Sequence, residues 1–123
     1  MILDLVATGV PGGVTVLTVA GDVDMVSAPR LRAELVRLCS EQVGTPRIVL
    51  DLVGVDLLDT TGIAAILEGV KRCSLRDGSL VLARAESQVM RELELTRLSD
   101  ALRVFDSVDD ACAALGPDRR WPA

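Results

Sequence analysis

The chain has 123 residues, half of them hydrophobic, which is enough for one domain with a sizeable core. It has no His, no Tyr, one Phe and one Trp, so the usual general base and metal ligand are missing and base-stacking on aromatic rings is disfavoured. The net charge of −5 argues against a basic face that binds nucleic acid or an anionic membrane.

The first two predicted elements form a β-hairpin. Residues 1–7 are apolar enough for a strand, and the sequence VPGG at 10–13 has turn chemistry. The β-branched run VTVLTV at 14–19 is typical of a second strand. Pro and Gly interrupt the uncharged stretch at 5–21, so we expect neither a signal peptide nor a membrane span there.

A helix is predicted after the segment GDVD at 21–24. Ser27 is its expected N-cap, and Pro29 is tolerated in its first turn. The helix is expected to end near Gly44. Its apolar residues recur at helical spacing: Leu31, Leu35, Leu38 and Cys39.

The third strand is predicted at 47–53 (RIVLDLV). It is apolar except for Asp51, as expected of a strand buried on both faces. A second helix follows and is closed by RDG at 76–78. The residues that mark this helix are Ile63, Ile66, Leu67 and Val70.

Three shorter elements come next. A strand is predicted at 80–83, a helix at 87–96 and a short strand at 102–105. The helix is expected to turn three side chains inward: Val89, Met90 and Leu93. Ser107 and Asp110 then form a capping box that opens a last helix.

We expect one domain at 1–116 and a short tail at 117–123, since Leu115 and Gly116 end the last helix. Strands that alternate with helices predict an α/β fold with a mixed, mostly parallel sheet of about five strands. The opening hairpin adds an antiparallel edge, and about four helices cover the sheet.

The segment DTTG at 59–62 is the strongest candidate site. It lies between a buried strand and a helix, so the hydroxyls of Thr60 and Thr61 lie at or just before a helix N-terminus. Free N–H groups and the helix dipole accommodate a phosphate at such a terminus. The simpler interpretation is that these residues only cap the helix.

Acidic residues extend this candidate site. Asp22 and Asp24 follow another strand, and Asp51 interrupts an apolar strand, where charged residues are rare without a role. If they share one end of the sheet with the threonines, a phosphate of about −1.5 to −2 charges would oppose them and disrupt an interface. For Asp22 and Asp24, a solvated turn with local hydrogen bonds is the alternative.

The chain resembles the STAS domains of bacterial anti-sigma factor antagonists from its first strand to its last helix. IVLDL at 48–52, Val55, LDTTGI at 58–63 and Leu67 are similar to the family's strand, DSSG turn and following helix, with Thr in place of Ser. GDVD at 21–24 is similar to the family's G-E/D-x-D segment.

The resemblance implies a non-enzymatic protein without cofactor or metal. The unphosphorylated form would bind an anti-sigma factor, often a serine/threonine kinase of the GHKL type, and so release a sigma factor. The kinase would phosphorylate Thr60, with Thr61 as the alternative, and a phosphatase would reverse this. The resemblance also implies a cytoplasmic protein that is monomeric when free.

The same resemblance implies a partner surface. Its residues are Asp22, Asp24, Asp51, Asp59, Gly62, Ile63 and Leu67. Asp59 would orient the turn and the hydroxyl. Some family members carry Asn where Asp51 stands, which leaves a purely structural role open for that residue.

The three cysteines, Cys39, Cys73 and Cys112, are odd in number and lack metal-ligand spacing. This usage favours reduced, mostly buried thiols in a cytosolic protein. The alternative is a redox-sensing pair such as Cys73 with Cys112.

Three other functions compete with the switching antagonist. A receiver domain needs a Lys after its last strand, but the single lysine, Lys71, lies in the second predicted helix. An enzyme could hold a divalent metal through aspartates, yet the chain has no phosphate-binding glycine loop and no nucleophile–base pair. The third is a regulatory STAS module that does not switch.

Overall fold

The computed structural model describes residues 2–97 and 101–116, and the predicted tail at 117–123 lies outside them. The elements within these ranges are, in chain order, β1 (Asp4–Val10), β2 (Val14–Val23), α1 (Ala28–Glu41), β3 (Arg47–Leu58), α2 (Thr60–Ser74), β4 (Ser79–Ala83), α3 (Ser87–Leu95), β5 (Val104–Phe105) and α4 (Val108–Leu115). The predicted order and the α/β class are confirmed.

The strands of the described ranges form one sheet in the order β1-β2-β3-β4-β5. β1 is antiparallel to β2, and the other three pairings are parallel. A parallel pairing requires a crossover, and α1, α2 and α3 provide the three crossovers. The predicted mixed sheet with a hairpin at its edge is therefore confirmed.

The first strand differs from its predicted bounds. β1 covers Asp4–Val10 rather than 1–7, because its ladder with β2 continues to the pair Val10 and Val14. The intervening turn contains Gly12 and Gly13 with φ of 93° and 81°, a region that glycine enters without steric cost. Most side chains of β1 are exposed, so their burial pattern does not mark where this strand begins and ends.

The third and fifth strands also differ in length. β3 runs to Leu58 instead of ending at 53, because β2 continues beside it as far as Val23. β5 contains only Val104 and Phe105 of the predicted 102–105. Leu102 is fully buried, so the apolar character of that segment reflects packing rather than strand pairing.

The core has one hydrophobic cluster on each face of the sheet. Side chains of α1, α2 and α3 join the larger cluster, and α4 contributes to the smaller one. Leu50 belongs to the first cluster and Val49 to the second, and each is 0% exposed. The prediction that this part of β3 is buried on both faces is confirmed.

Candidate functional site

Two strand ends meet at one edge of the sheet. β2 and β3 are parallel, and their register places Val23 beside Leu58. The N–H of Asp59 donates to the carbonyl of Val23 at 3.0 Å. The β2–α1 loop and the start of α2 are therefore neighbours. We call Asp22, Asp24 and Asp59, which share this edge, the acidic edge.

Asp59 is the N-cap of α2. Its Oδ1 accepts a hydrogen bond from the N–H of Gly62 at 3.0 Å, and the hydroxyl of Thr61 donates to the same oxygen at 2.5 Å. The carbonyl of Asp59 accepts from the N–H of Ile63 at 3.0 Å. The capping interpretation is therefore correct for Asp59, whereas the two threonines are the first residues of the helix itself.

The two threonine hydroxyls differ in their hydrogen bonding. Both side chains are exposed. The hydroxyl of Thr61 is held by Asp59, but within residues 2–97 and 101–116 the hydroxyl of Thr60 has no hydrogen-bond partner. Thr60 therefore presents its oxygen freely to solvent at the acidic edge.

Gly62 lets the first turn of α2 pack directly on the strand ends. A Cβ at this position would lie 2.6 Å from both Leu58 Cδ1 and Val23 Cγ1. Real Cβ atoms do not approach other atoms this closely, so a larger residue would push the helix start away from the sheet. Gly62 thus positions the threonines relative to the β2–α1 loop.

The β2–α1 loop is organised by Asp24. Its Oδ1 accepts from the N–H groups of Val26 at 2.9 Å and Ser27 at 3.0 Å. These bonds, chiefly that from the N–H of Ser27, hold the pKa of the Asp24 carboxyl below its ordinary value. Ser27 occupies the predicted N-cap position, but its hydroxyl instead donates to the carbonyl of Asp22 at 2.7 Å.

Beside these loops, a groove of about 400 Å³ lies on the surface between the first turns of α1 and α2. Its lining residues are Met25, Ala28, Pro29, Arg32, Thr61, Ala64, Ala65 and Glu68. Arg32 and Glu68 bridge the two helices by an ion pair. Met25 is 73% exposed, and its neighbour Val26 is 87% exposed. These two exposed apolar side chains are adjacent and lie beside the groove, so they extend the candidate site.

Sequence reasoning did not select Met25, Val26 or the groove. The available signal was the pair of adjacent apolar residues between Asp24 and Ser27, in a segment that leaves a strand. The groove itself depends on how α1 and α2 pack, which local sequence does not specify.

Two residues of the predicted partner surface face the interior. Ile63 is 2% exposed and belongs to the larger core cluster, and Leu67 is half-buried and packs against that cluster. Both lie in α2 after the threonines. They fix the position of α2 on the sheet.

Asp51 does not lie at the acidic edge. It is paired with Thr18 and Ala83 in the sheet, roughly 23 Å along β3 from Leu58. Its carboxylate is 2% exposed and accepts hydrogen bonds from Arg84 Nε at 3.0 Å and from a terminal guanidinium nitrogen of Arg84 at 2.5 Å. This bidentate pair raises the pKa of Arg84 and anchors the start of the β4–α3 connection.

The family model for the STAS domain matches residues 6–111. The chain belongs to the STAS domain family. The anti-sigma-B factor antagonist of Bacillus subtilis (strain 168) is 33% identical over 88 residues, covering 72% of this chain and 78% of that protein. This relative places the chain in the anti-sigma factor antagonist family.

Two solved structures show how widely this fold is used. An anti-sigma factor antagonist from Mycobacterium paratuberculosis has a TM-score of 0.82 and 23% identity, covering 93% of this chain and 94% of that one. A sulfate transporter family protein from Wolinella succinogenes has a TM-score of 0.71 and 26% identity, covering 88% of each chain. STAS domains therefore occur in transporter proteins as well.

The three cysteines of this STAS domain are free, and two of them lie close together. The Sγ atoms of Cys39 and Cys73 are 2.7 Å apart, both in the larger core cluster. Cys112 packs with the smaller cluster, on the opposite face of the sheet from Cys73. The favoured prediction of free, mostly buried thiols agrees with the structure. The alternative pair of Cys73 with Cys112 is not formed, because the sheet lies between them and Cys39 is the neighbour of Cys73.

The described residues contain neither a candidate metal-binding cluster nor a candidate membrane-spanning helix. No group of three or more His, Cys, Asp or Glu side chains there is arranged to hold a metal ion. No helix in the same residues is long and apolar enough to cross a membrane. The chemistry offered by the site is that of a free hydroxyl, a capped helix start and carboxylates.

Proposed function

We propose that this STAS domain binds an anti-sigma factor that is a serine/threonine kinase of the GHKL type, releases the sigma factor, and is switched off by phosphorylation of Thr60. The carrying observation is the unpaired, exposed hydroxyl of Thr60 beside the acidic edge, next to a Thr61 hydroxyl already bound to Asp59. The name of the Bacillus subtilis relative supports the antagonist function.

In the proposed transfer, the Thr60 oxygen attacks the γ-phosphate of ATP bound to the kinase. The bond to the β-phosphate breaks, and ADP leaves. Among the described residues none accepts a hydrogen bond from the Thr60 hydroxyl, so the base that removes its proton comes from the kinase. The STAS domain supplies the substrate oxygen and is not the enzyme.

Electrostatic repulsion explains why the phosphate would weaken the complex. A phosphothreonine carries about −1.5 to −2 charges at neutral pH. Asp59 is its neighbour in sequence. The N–H of Gly62 already donates to the Asp59 carboxylate, so it is not available to bind the new phosphate. A surface that fits the acidic edge and an uncharged Thr60 would then meet excess negative charge.

The proposed partner surface combines contact residues with positioning residues. Asp22, Asp24 and Asp59 contact the partner, together with the exposed side chains of Met25 and Val26. Three predicted surface residues lie beneath it, and the fourth, Asp51, lies away from it along β3. Gly62, Ile63 and Leu67 hold α2 in place, and Asp51 acts through Arg84.

The proposed partner also implies how the protein is reactivated and where it acts. A phosphatase restores the active form, and the sigma factor places the activity in the cytoplasm. The protein is a monomer when free. A STAS module without a switch is the second candidate, favoured by the likeness to the sulfate transporter family protein.

Mapping the phosphate tests this proposal. The protein is incubated with ATP and the anti-sigma kinase that it captures from host extract, and the tryptic peptide 48–71 is fragmented. We expect one phosphate, on Thr60, in the parent protein and in Thr61→Ala, and none in Thr60→Ala. No phosphate, or a phosphate on Thr61 alone, contradicts the switch as stated and favours the non-switching module or the alternative acceptor.

A further inference from the structure

Cys39 and Cys73 form a close thiol pair between two helices. Cys39 lies in the last turn of α1 and Cys73 in the last turn of α2, 34 residues apart in sequence. Their Sγ atoms are 2.7 Å apart, which is within about 1 Å of the S–S bond length of about 2.05 Å. Both cysteines are buried, so the pair lies in the core rather than on the surface.

The helices around the pair are already packed against each other. A Cβ on Gly69 would lie 3.1 Å from Leu35 Cδ1, so α1 and α2 pack directly against each other. The Sγ of Cys39 also lies 3.7 Å from the carbonyl oxygen of Gly69 in the neighbouring helix. Bond formation therefore needs a small movement of two side chains rather than a rearrangement of the helices.

The surroundings distinguish the two thiols. The hydrogen bond with Cys73, followed by the positive charges of Arg76 and Arg72, lowers the pKa of Cys39. Hydrogen bonding with Cys39 and burial raise the pKa of Cys73. Arg76 is fixed there because its guanidinium donates to the carbonyls of Gln42 at 3.2 Å and Gly44 at 3.0 Å. Arg76 also donates to the carbonyl of Cys39, so its positive charge lies beside that residue and favours the thiolate form of Cys39 over that of Cys73.

Because Cys39 is 2% and Cys73 0% exposed, a small oxidant would need a local opening at the end of α2 to reach the pair. Cys73 is the next-to-last residue of that helix, and Leu75 just beyond it is 76% exposed. Helix ends open locally at much lower free energy than the core. Opening of this turn would break the bonds of Arg76 to Gln42 and Gly44, and it would expose the sulfur atoms without unfolding the sheet.

We propose that Cys39 and Cys73 are a modification site, at which a hydroperoxide forms a reversible disulfide that joins α1 to α2. The Cys39 thiolate attacks one oxygen of hydrogen peroxide, the O–O bond breaks, and the departing hydroxide takes a proton to become water. Cys73 then attacks the sulfenic sulfur, forming the S–S bond, while the sulfenic oxygen leaves with the proton of Cys73 as a second water. A dithiol reductant reverses the bond.

This inference goes beyond the proposed function and does not depend on it. The bond would tie together the two helices whose opposite ends carry the acidic edge, and it would restrict the unfolded chain. A disulfide that closes a loop of this length is expected to raise the Tm by about 10 °C.

Peptide mapping of the whole protein tests the linkage. The reduced chain is treated with hydrogen peroxide under native conditions, alkylated and digested with trypsin. We expect peptide 38–47 joined to peptide 73–76, with Cys112 alkylated. The Cys112→Ser variant is the matched control and keeps the link. Alkylated Cys39 and Cys73 after oxidation, a link through Cys112, or sulfinic acid on Cys39 would each overturn the proposal.

A second measurement covers the case in which a cysteine variant folds poorly. The Tm of the parent protein is measured after oxidation and again after reduction by a dithiol, so no substitution is needed. We expect a higher Tm in the oxidised form of the parent protein and a return to the lower value on reduction. An unchanged Tm would contradict the helix-joining bond.

Discussion

The carboxylate of Asp59 holds the hydroxyl of Thr61 at 2.5 Å and leaves the hydroxyl of Thr60 without a partner among the described residues. The same oxygen accepts from the N–H of Gly62 at 3.0 Å. One side chain therefore starts the helix and distinguishes two adjacent threonines. This arrangement would give the proposed switch its specificity for Thr60 over Thr61.

Removing the cap should destabilise the protein. We expect Asp59→Ala to lower the free energy of unfolding by about 1 kcal/mol, because the N–H of Gly62 loses its acceptor. Asp59→Asn keeps a side-chain oxygen and should remain close to the parent protein. Urea denaturation measures both. Equal losses for the two variants would show that charge, rather than capping, is the contribution of Asp59.

A larger residue at position 62 should displace the start of α2. Gly62→Ala places a Cβ 2.6 Å from side-chain atoms of Leu58 and Val23 and should cost about 1–3 kcal/mol of stability. Gly9→Ala is the matched control, because a Cβ there meets nothing within 4 Å. Thermal unfolding compares them, and an equally mild effect of both would contradict the close packing described for Gly62.

The Asp51–Arg84 pair should show strong coupling. Arg84→Ala leaves a carboxylate that is 2% exposed without its cation and should cost about 1–2 kcal/mol, less than for a fully buried pair because the Arg84 side chain is 43% exposed. Adding Asp51→Asn to that variant should recover part of the loss, because the uncompensated charge disappears. Urea denaturation of the single and double variants gives the coupling. Additive losses would mean that the pair does not stabilise the fold as a unit.

The β2–α1 loop should depend on pH through Asp24. Hydrogen bonds to its carboxylate, chiefly from the N–H of Ser27, hold its pKa below its ordinary value in the folded protein. Its contribution is therefore complete above the ordinary pKa and is lost as pH falls through the lower folded value. Side-chain NMR titration should give the low pKa directly. Stability of Asp24→Asn should fall less than that of the parent between about pH 5 and about pH 3, and identical slopes would contradict this role.

Charge at position 60, but not at 61, should weaken partner binding. We expect Thr60→Glu to reduce affinity for the anti-sigma factor and Thr60→Ala to leave it unchanged, since Ala adds no charge. Thr61→Glu breaks the hydrogen bond to Asp59 but places no charge at position 60, so we expect it not to weaken partner binding. Calorimetric titration measures all three. Equal affinity of Thr60→Glu and Thr60→Ala would remove the charge mechanism.

Most of the fold could be predicted because its signals are local. The apolar run that became β3 and the helical spacing of Leu31 and Leu35 in α1 depend only on neighbours in sequence. Strand ends were less predictable. β3 extends to Leu58 because β2 runs beside it, and that information resides in a different strand.

The candidate site was predictable where one motif carries it. The DTTG segment at 59–62 did contain the free hydroxyl and the cap. Three features depend on tertiary packing instead: the pairing of Asp51 with Arg84, the contact of Cys39 with Cys73, and the groove between α1 and α2. Each joins residues about 30 or more positions apart, and no local pattern specifies such contacts.

The most direct test of the central claim is the affinity of the anti-sigma kinase for the same chain before and after phosphorylation at Thr60. Titration calorimetry with the two forms isolates the phosphate from every other change. We expect at least a tenfold loss of affinity, about 1.4 kcal/mol, on phosphorylation. Equal affinity of the phosphorylated and unphosphorylated chains would contradict the proposed switch.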